Sequence, residues 1–210
     1  MNTSEDYLEP SEDILSIRDE DLYCGDKNAQ ITLIQYDSLT SPHCKVFHST
    51  IFPTLRREFI DSGRVLFAIR ALPTDSIAFR LAMAVMCGQT NKEKMKIRSL
   101  IFNYQDVMFK KFSNSGISAS SSHVSEEILS GFADMIEAAG YERERIDSCM
   151  NPEKSPKIAE FILNQVTSAN KSFFELREVP TVLLNGSKYS GLNTLNFWKE
   201  KIEAELYKGG

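Results

Sequence analysis

Two apolar segments with a helix between them constrain the fold more than any other feature of this chain. The segments "ITLIQYDS" (31–38) and "RVLFAIRALP" (64–73) are rich in β-branched and aromatic residues, which is typical of buried strands. Between them, Ser41 and Pro42 form a favoured pair of N-cap and first helical residue. Pro53 predicts a kink in this helix, whose apolar residues recur with helical spacing at Val46, Phe47, Ile51, Leu55 and Phe59. A strand–helix–strand unit implies a right-handed crossover and parallel strands.

The rest of the chain is mainly helical until a hairpin near its end. Apolar residues at three-to-four spacing predict helices in "SIAFRLAMAVMCG", "KEKMKIRSLIFNYQ", "SEEILSGFADMIEAAG" and "PKIAEFILNQVTSANKSFFEL". The Ser-rich stretch "SNSGISASSSH" interrupts them and predicts a moving loop. In "VPTVLLNGSKYSG", the Asn185-Gly186 pair is a strong signal for a hairpin turn. The segment "TLNFWKEKIEAEL" predicts a last amphipathic helix.

This order of elements predicts an α/β protein with a thioredoxin fold (βαβ…ββα) and an inserted helical domain. Residues 1–29 are charged and lack periodicity, so they are predicted to form an N-terminal arm that ends in a turn. Residues 30–74 and 156–210 are assigned to the thioredoxin domain, and residues 75–155 to the helical insertion.

Charge and hydropathy exclude several function classes. The net charge of -5 over 210 residues gives no basic face for nucleic acid. No apolar run approaches the roughly 20 residues of a membrane span, so no membrane-spanning segment is expected. The acidic start "MNTSEDYLEPSED" does not fit a signal peptide, so we expect either a cytosolic chain or one whose export signal has been trimmed.

Several motifs stand out along the chain: the run from "ITLIQYDSLTSPHC" through "RALP" to "AMAVMCG", then "IDSCMNP" and "VPTVLLNG". Over roughly residues 22–207 they resemble the DsbA-type disulfide oxidoreductases, particularly the alphaproteobacterial kind. The resemblance implies that Pro180 is cis, faces the helix start at Ser41 and offers backbone groups to an extended substrate. It implies catalytic roles at Ser41, His43, Cys44 and Pro180, and substrate binding by Pro42, His43, Val179 and Pro180.

The centre Ser41-Pro42-His43-Cys44 departs from the Cys-Pro-His-Cys pattern of that family at its first residue. In such a site the helix N-terminus stabilises a thiolate on the first cysteine, which then exchanges with substrate disulfides. A serine hydroxyl stays protonated near neutral pH and forms no disulfide with Cys44. We therefore expect normal dithiol oxidase turnover to be absent. For Cys44, a buried, inert thiol is at least as good an interpretation as a reactive thiol.

A second departure lies in the strand six residues before Ser41. The oxidases of the family usually carry a buried glutamate there for proton transfer, and this chain has Gln35. A laboratory Cys-to-Ser change would explain Ser41 but not Gln35. The two losses together favour a naturally diverged site over an engineered mutant.

The other cysteines bear on the compartment. The residues alone do not determine how four cysteines pair. The resemblance implies a structural disulfide between Cys87 and Cys149, which would place the chain in an oxidising compartment, the periplasm, with its signal removed. Cys24 is interpreted as a free thiol. Cys44 and His48 share a helix face, but two ligands do not make a zinc site, and neither a metal nor a cofactor is expected.

Three functions stay open at this stage. The first is a DsbA-like protein that binds unfolded, cysteine-containing exported polypeptides, and the resemblance leaves room for a membrane redox partner. The second is a transferase resembling the kappa-class glutathione transferases, in which the Ser41 hydroxyl would bind the glutathione thiolate. The third is a redox-inert peptide-binding protein that keeps the groove at Val179 after losing the chemistry.

Overall fold

The computed structural model describes residues 12–113, 122–172 and 174–208. Five strands form one sheet in the order β1-β3-β2-β4-β5. They are β1 (Leu22–Cys24), β2 (Ile31–Asp37), β3 (Val65–Ala71), β4 (Thr181–Leu184) and β5 (Ser187–Ser190). The α-helices are α1 (Glu12–Leu15), α2 (Pro42–Val46), α3 (Phe52–Leu55), α4 (Ser76–Met86), α5 (Asn91–Ser113), α6 (Ser122–Ala138), α7 (Arg143–Cys149), α8 (Pro156–Lys171) and α9 (Leu195–Lys208).

The strand pairing confirms the strand–helix–strand unit and the hairpin. Strands β2 and β3 run parallel, β4 is antiparallel to β2, and β5 is antiparallel to β4. The hairpin turn has positive φ angles at Asn185 (44°) and Gly186 (83°), which a two-residue turn between twisted strands requires. The arrangement is a thioredoxin fold with an inserted helical domain, as the order of elements predicted.

The first long helix is not uniformly α-helical. Helices α2 and α3 are each followed by a π-helical turn, at Phe47–Ile51 and at Arg56–Ile60. Pro53 lies in the first turn of α3. Proline has no backbone N–H to donate, and around Pro53 the helix alternates between α and π segments.

Residues 1–11 of the predicted N-terminal arm lie outside the described residues, and the prediction was wrong for the last part of the arm. Leu22–Cys24 forms the edge strand β1, antiparallel to β3. Beside it, Arg70 of β3 donates to both carboxylate oxygens of Asp21, at 3.2 and 2.6 Å. The sequence did not reveal this strand, because three residues are too few to show the alternation of a strand. The ion pair between Asp21 and Arg70 was also not predicted, because it joins residues 49 positions apart.

The helical insertion packs on the sheet and against itself. Helix α5 is longer than its predicted segment, α7 was not predicted, and α8 ends at Lys171, before the predicted "SFFEL".

Most of the predicted Ser-rich loop lies outside the described residues. Within the described part of the chain, no helix is both long and apolar enough to cross a bilayer.

Candidate functional site

Ser41 stands at the tip of α2, where local sequence fixes its conformation. Its backbone is extended (φ -77°, ψ 123°), and its hydroxyl oxygen accepts a hydrogen bond from the Cys44 N–H at 3.3 Å. Pro42 follows in the first turn of α2, where the missing N–H of proline costs nothing. The Ser41 N–H donates to the Ser38 carbonyl at 3.1 Å. Ser41 is therefore held as an N-cap, half-buried at the start of the helix.

The segment before β4 contains a cis peptide bond between Val179 and Pro180. The Pro180 carbonyl accepts from the Gly191 N–H at 2.9 Å, and the Thr181 hydroxyl donates to the Glu178 carbonyl at 2.7 Å. By contrast, the backbone N–H and C=O of Val179 have no hydrogen-bond partner among the residues that the structure describes. Val179 is half-buried and Pro180 is buried.

One open cleft is lined by both Ser41 and Val179. Of the predicted site residues, Ser41, Pro42 and Val179 line this cleft. His43, the next residue of α2, is exposed. Cys44 and Pro180 are buried and do not line the cleft. The full lining is Thr40, Ser41, Pro42, Thr74, Asp75, Gln105, Asp106, Phe109 and Val179.

The far wall of the cleft is polar, and sequence reasoning did not find it. The Thr40 hydroxyl donates to Asp75 at 2.6 Å, and the hydroxyls of Ser38 and Thr74 lie 2.9 Å apart. Asp75 also caps α4 by accepting from the Ala78 N–H at 2.7 Å. The Asp-Ser step before the apolar run of α4 is an N-cap signal that would have located Asp75.

Cys44 lies one turn into the helix and is 0% exposed. Burial raises the pKa of its thiol to about 12, and the negative charge of Asp37 adds to this rise. The hydrogen bond with Ser41 opposes the shift. At neutral pH the group is therefore a protonated thiol, which is a poor nucleophile.

A buried ion pair lies beneath the helix start. Arg98, from α5, donates through Nε to Asp37 at 3.1 Å and through a second nitrogen to the same carboxylate oxygen. A third nitrogen of Arg98 lies 2.7 Å from Nδ1 of His48. Burial, together with the Arg98 charge, lowers the pKa of His48 to about 3, so His48 is neutral. His48 lies in the helical segment that continues from α2. Its Nδ1 is hydrogen-bonded to Arg98.

Gln35 occupies the predicted position in the middle of β2. It lies opposite Ile69 of β3 and Val182 of β4 and is 0% exposed. Neither its amide nitrogen nor its amide oxygen has a hydrogen-bond partner in the described structure. An amide neither takes up nor releases a proton near neutral pH, so this side chain offers no route for proton transfer.

The remaining cysteines divide into a bonded pair and a free thiol. Cys87, directly after α4, and Cys149, at the end of α7, form a disulfide with their Cα atoms 5.9 Å apart. Cys24 is free and half-buried, and burial raises the pKa of its thiol to about 11. Across the described ranges, no cluster of three or more His, Cys, Asp or Glu side chains could hold a metal ion.

Comparisons with known proteins agree with this fold. The family model described as Thioredoxin matches residues 18–204. A Rickettsia bellii protein named "Putative protein-disulfide oxidoreductase" is 24% identical over 192 residues, which cover 91% of this chain and 65% of that protein. The chain spans between about a third and two thirds of the length of the Rickettsia relatives that it matches.

Two solved structures show the same architecture. Alpha-DsbA1 of Wolbachia pipientis has a TM-score of 0.79 at 23% identity, covering 94% of this chain and 96% of that one. BdbD of Bacillus subtilis has a TM-score of 0.70 at 19% identity, covering 94% and 96%. The chain belongs to the thioredoxin family. Within that family its fold, with the helical insertion, is that of the DsbA-like proteins.

Proposed function

We propose that this DsbA-like chain binds unfolded, cysteine-containing exported polypeptides in the cleft between Ser41 and Val179, without dithiol oxidase turnover. The observation that carries the proposal is that one cleft is lined both by the N-cap of α2 and by Val179. The N–H and C=O of Val179, which have no partner among the described residues, are suited to pair with an extended segment in the manner of an added strand. The names of the Rickettsia relatives support substrates that contain cysteine.

The absence of turnover follows from the two side chains at the helix start. Ser41 has no sulfur to form a disulfide, and Cys44 is fully buried and protonated at neutral pH. His43, exposed beside the cleft, is assigned to contact the flank of a bound polypeptide. A protein without an active-site dithiol has nothing to reoxidise, so the proposed function requires no membrane redox partner.

The compartment we propose is the periplasm. The disulfide between Cys87 and Cys149 supports an oxidising compartment. Exported, unfolded polypeptides with reduced cysteines occur in such a compartment, so the proposed substrates and the structural disulfide are consistent with each other.

Binding is tested by fluorescence anisotropy with a labelled, unfolded polypeptide that contains cysteine. Thr74 is exposed on the cleft wall, and Thr74→Trp fills the cleft. We expect this variant to raise Kd at least about tenfold, a loss of roughly 1.4 kcal/mol. Glu160→Trp, on the exposed face of α8, is the matched control and should leave Kd unchanged.

Two results would count against the proposal. Equal affinity of the native protein and the Thr74→Trp variant would exclude the cleft as the binding site. Loss of binding in Cys44→Ala would show that a covalent bond, rather than recognition in the cleft, holds the polypeptide. Unchanged affinity in Cys44→Ala is the outcome that we expect.

A second candidate is a glutathione transferase of the kappa kind. The Ser41 hydroxyl accepts from the Cys44 N–H and keeps its own proton to donate to a bound thiolate at the cleft surface, which favours this alternative. Titration with glutathione by calorimetry separates the two candidates. Heat that disappears in Ser41→Ala would support the transferase, and no heat at millimolar glutathione would exclude it.

A further inference from the structure

Asp75 presents a fixed carboxylate to the proposed polypeptide cleft. It is the N-cap of α4, and its two oxygens accept from the Ala78 N–H at 2.7 Å and from the Thr40 hydroxyl at 2.6 Å. The Thr74 hydroxyl lies 3.4 Å from the second of these oxygens. Asp75 is nevertheless exposed to solvent and lines the cleft. Its carboxylate is therefore held in one position and stays accessible to a bound molecule.

Among the described residues that line the cleft, two carry a charge, Asp75 and Asp106, and their charges are balanced differently. The carboxylate of Asp106 lies 2.5 Å from Nζ of Lys45. The hydrogen bond from Lys45 lowers the pKa of Asp106, and the charge of Lys110 lowers it further. Asp75 accepts from uncharged donors and forms no ion pair with any residue that the structure describes. Of the two charges, that of Asp75 is the one left for a bound polypeptide to neutralise.

The same cleft also has an apolar part. Pro42 and Phe109 belong to its lining, and Phe109 is half-buried and packs against the hydrophobic core. A lysine or arginine side chain combines an apolar stem with a charged head. Such a side chain can place its stem along these apolar groups and its head at the Asp75 carboxylate. An acidic side chain would meet a like charge at the same place.

We propose that Asp75 is a specificity-determining residue that favours polypeptide segments with a lysine or arginine next to the cysteine. The inference rests on the proposed function, because it takes this cleft as the polypeptide site and Val179 as the residue that pairs with the polypeptide backbone. Successive side chains of an extended segment point to opposite sides. The two neighbours of a cysteine therefore share one side of the segment and can face Asp75 together.

The test compares two labelled, unfolded peptides that each contain one reduced cysteine. In one peptide both neighbours of the cysteine are lysine, and in the other both are glutamine. Fluorescence anisotropy gives Kd for each peptide at low ionic strength, where exposed charges are least screened. We expect the native protein to bind the lysine peptide about fivefold more tightly than the glutamine peptide, which is the upper range for one exposed ion pair.

Asp75→Asn removes the charge and keeps the N-cap and an acceptor for Thr40. We expect this variant to bring the ratio of the two Kd values to about one, while Kd of the glutamine peptide stays at its native value. A merely structural role of Asp75 would change both Kd values together. Asp61→Asn, which removes an exposed carboxylate outside the lining of the cleft, is the matched control and should keep the native ratio.

Equal Kd values of the two peptides with the native protein would overturn the inference and leave the proposed function unaffected. An unchanged ratio in Asp75→Asn would also overturn it, because the preference would then come from another group. Failure of the native protein to bind either peptide would reject the proposed function and the inference together. Raising the salt concentration to about 0.5 M should bring the native ratio towards that of Asp75→Asn, and a ratio that salt does not change would contradict a charge-based preference.

Discussion

The Ser41 hydroxyl oxygen lies 3.3 Å from the backbone nitrogen of Cys44 and accepts its hydrogen bond. In a redox pair, the first side chain at this helix start would be a sulfur that forms a disulfide with the second. Here an oxygen satisfies one of the unpaired N–H groups of the first helical turn. Ser41 therefore serves as a regular N-cap of this helix, which is compatible with the proposed replacement of a sulfur at this position.

That hydrogen bond has a measurable contribution to stability. We expect Ser41→Ala to lower the free energy of unfolding by about 1 kcal/mol, because a helix N–H loses its capping acceptor. Ser41→Asp keeps an acceptor at the same place and should stay close to the native value. Urea denaturation measures both variants. Equal loss in the two variants would contradict the capping role.

The N-terminal segment depends on a buried ion pair. Arg70 also donates to the carbonyls of Ile14 and Ser16, at 2.7 and 2.6 Å. Asp21→Asn would leave this guanidinium without its counter-charge, and we expect a loss of roughly 3–5 kcal/mol in urea denaturation. The control is Asp19→Asn, whose exposed pair with Lys27 should contribute nothing measurable. Comparable effects of the two substitutions would show that Asp21 does not anchor the segment.

The disulfide in the insertion should stabilise the fold through the length of chain that it closes. Cys87 and Cys149 are 62 residues apart, and closing a loop of that size contributes on the order of 4 kcal/mol in the chain-entropy model. Cys87→Ala/Cys149→Ala should lose stability of that order, and added reductant should then have no further effect. Cys24→Ala serves as the thiol control. Indifference of the native protein to reductant in denaturation would refute this role.

Acid should destabilise the protein through His48. Its pKa is lowered from 6.5 to about 3, so as the pH falls below 6.5 the unfolded chain binds a proton that the folded chain does not. The contribution of His48 to the free energy of unfolding is therefore complete above pH 6.5 and is lost as the pH falls towards 3. The slope of the unfolding free energy against pH approaches roughly 1.4 kcal/mol per pH unit. His48→Gln, which keeps an acceptor for Arg98, should remove this slope between pH 6.5 and 5.

The exposed His43 is the control for that experiment. His43→Gln removes an exposed histidine and leaves His48 in place, so the slope that His48 causes should remain over the same interval. Unfolding free energies from urea denaturation at several pH values give both slopes. Loss of the slope in His43→Gln, or its persistence in His48→Gln, would contradict the assignment.

The sequence predicted the parts of the fold that are encoded locally. Strands β2 and β3 carry continuous apolar runs, Ser41-Pro42 marks a helix start, and Asn185-Gly186 marks a hairpin. Each signal is complete within a few neighbouring residues. These signals sufficed to predict the thioredoxin fold and to place Ser41 at its helix tip.

The features that were missed depend on contacts between distant parts of the chain. Strand β1 has three residues and is recognisable only from its pairing with β3. The bond from Arg98 to Asp37 joins positions 61 residues apart, and nothing near either residue indicates the other. The polar wall of the cleft likewise forms only when the loop after β3 meets the loop before α2.

We propose that this site keeps a cleft for polypeptides and lacks dithiol chemistry because Ser41 replaces a sulfur. The most direct measurement is the rate at which oxidant-treated protein forms the disulfide of a reduced, unfolded peptide with two cysteines, compared between the native chain and Ser41→Cys. We predict a background rate for the native chain and a rate at least about tenfold higher for Ser41→Cys, a difference of roughly 1.4 kcal/mol in the activation barrier. A native rate equal to that of Ser41→Cys would contradict it.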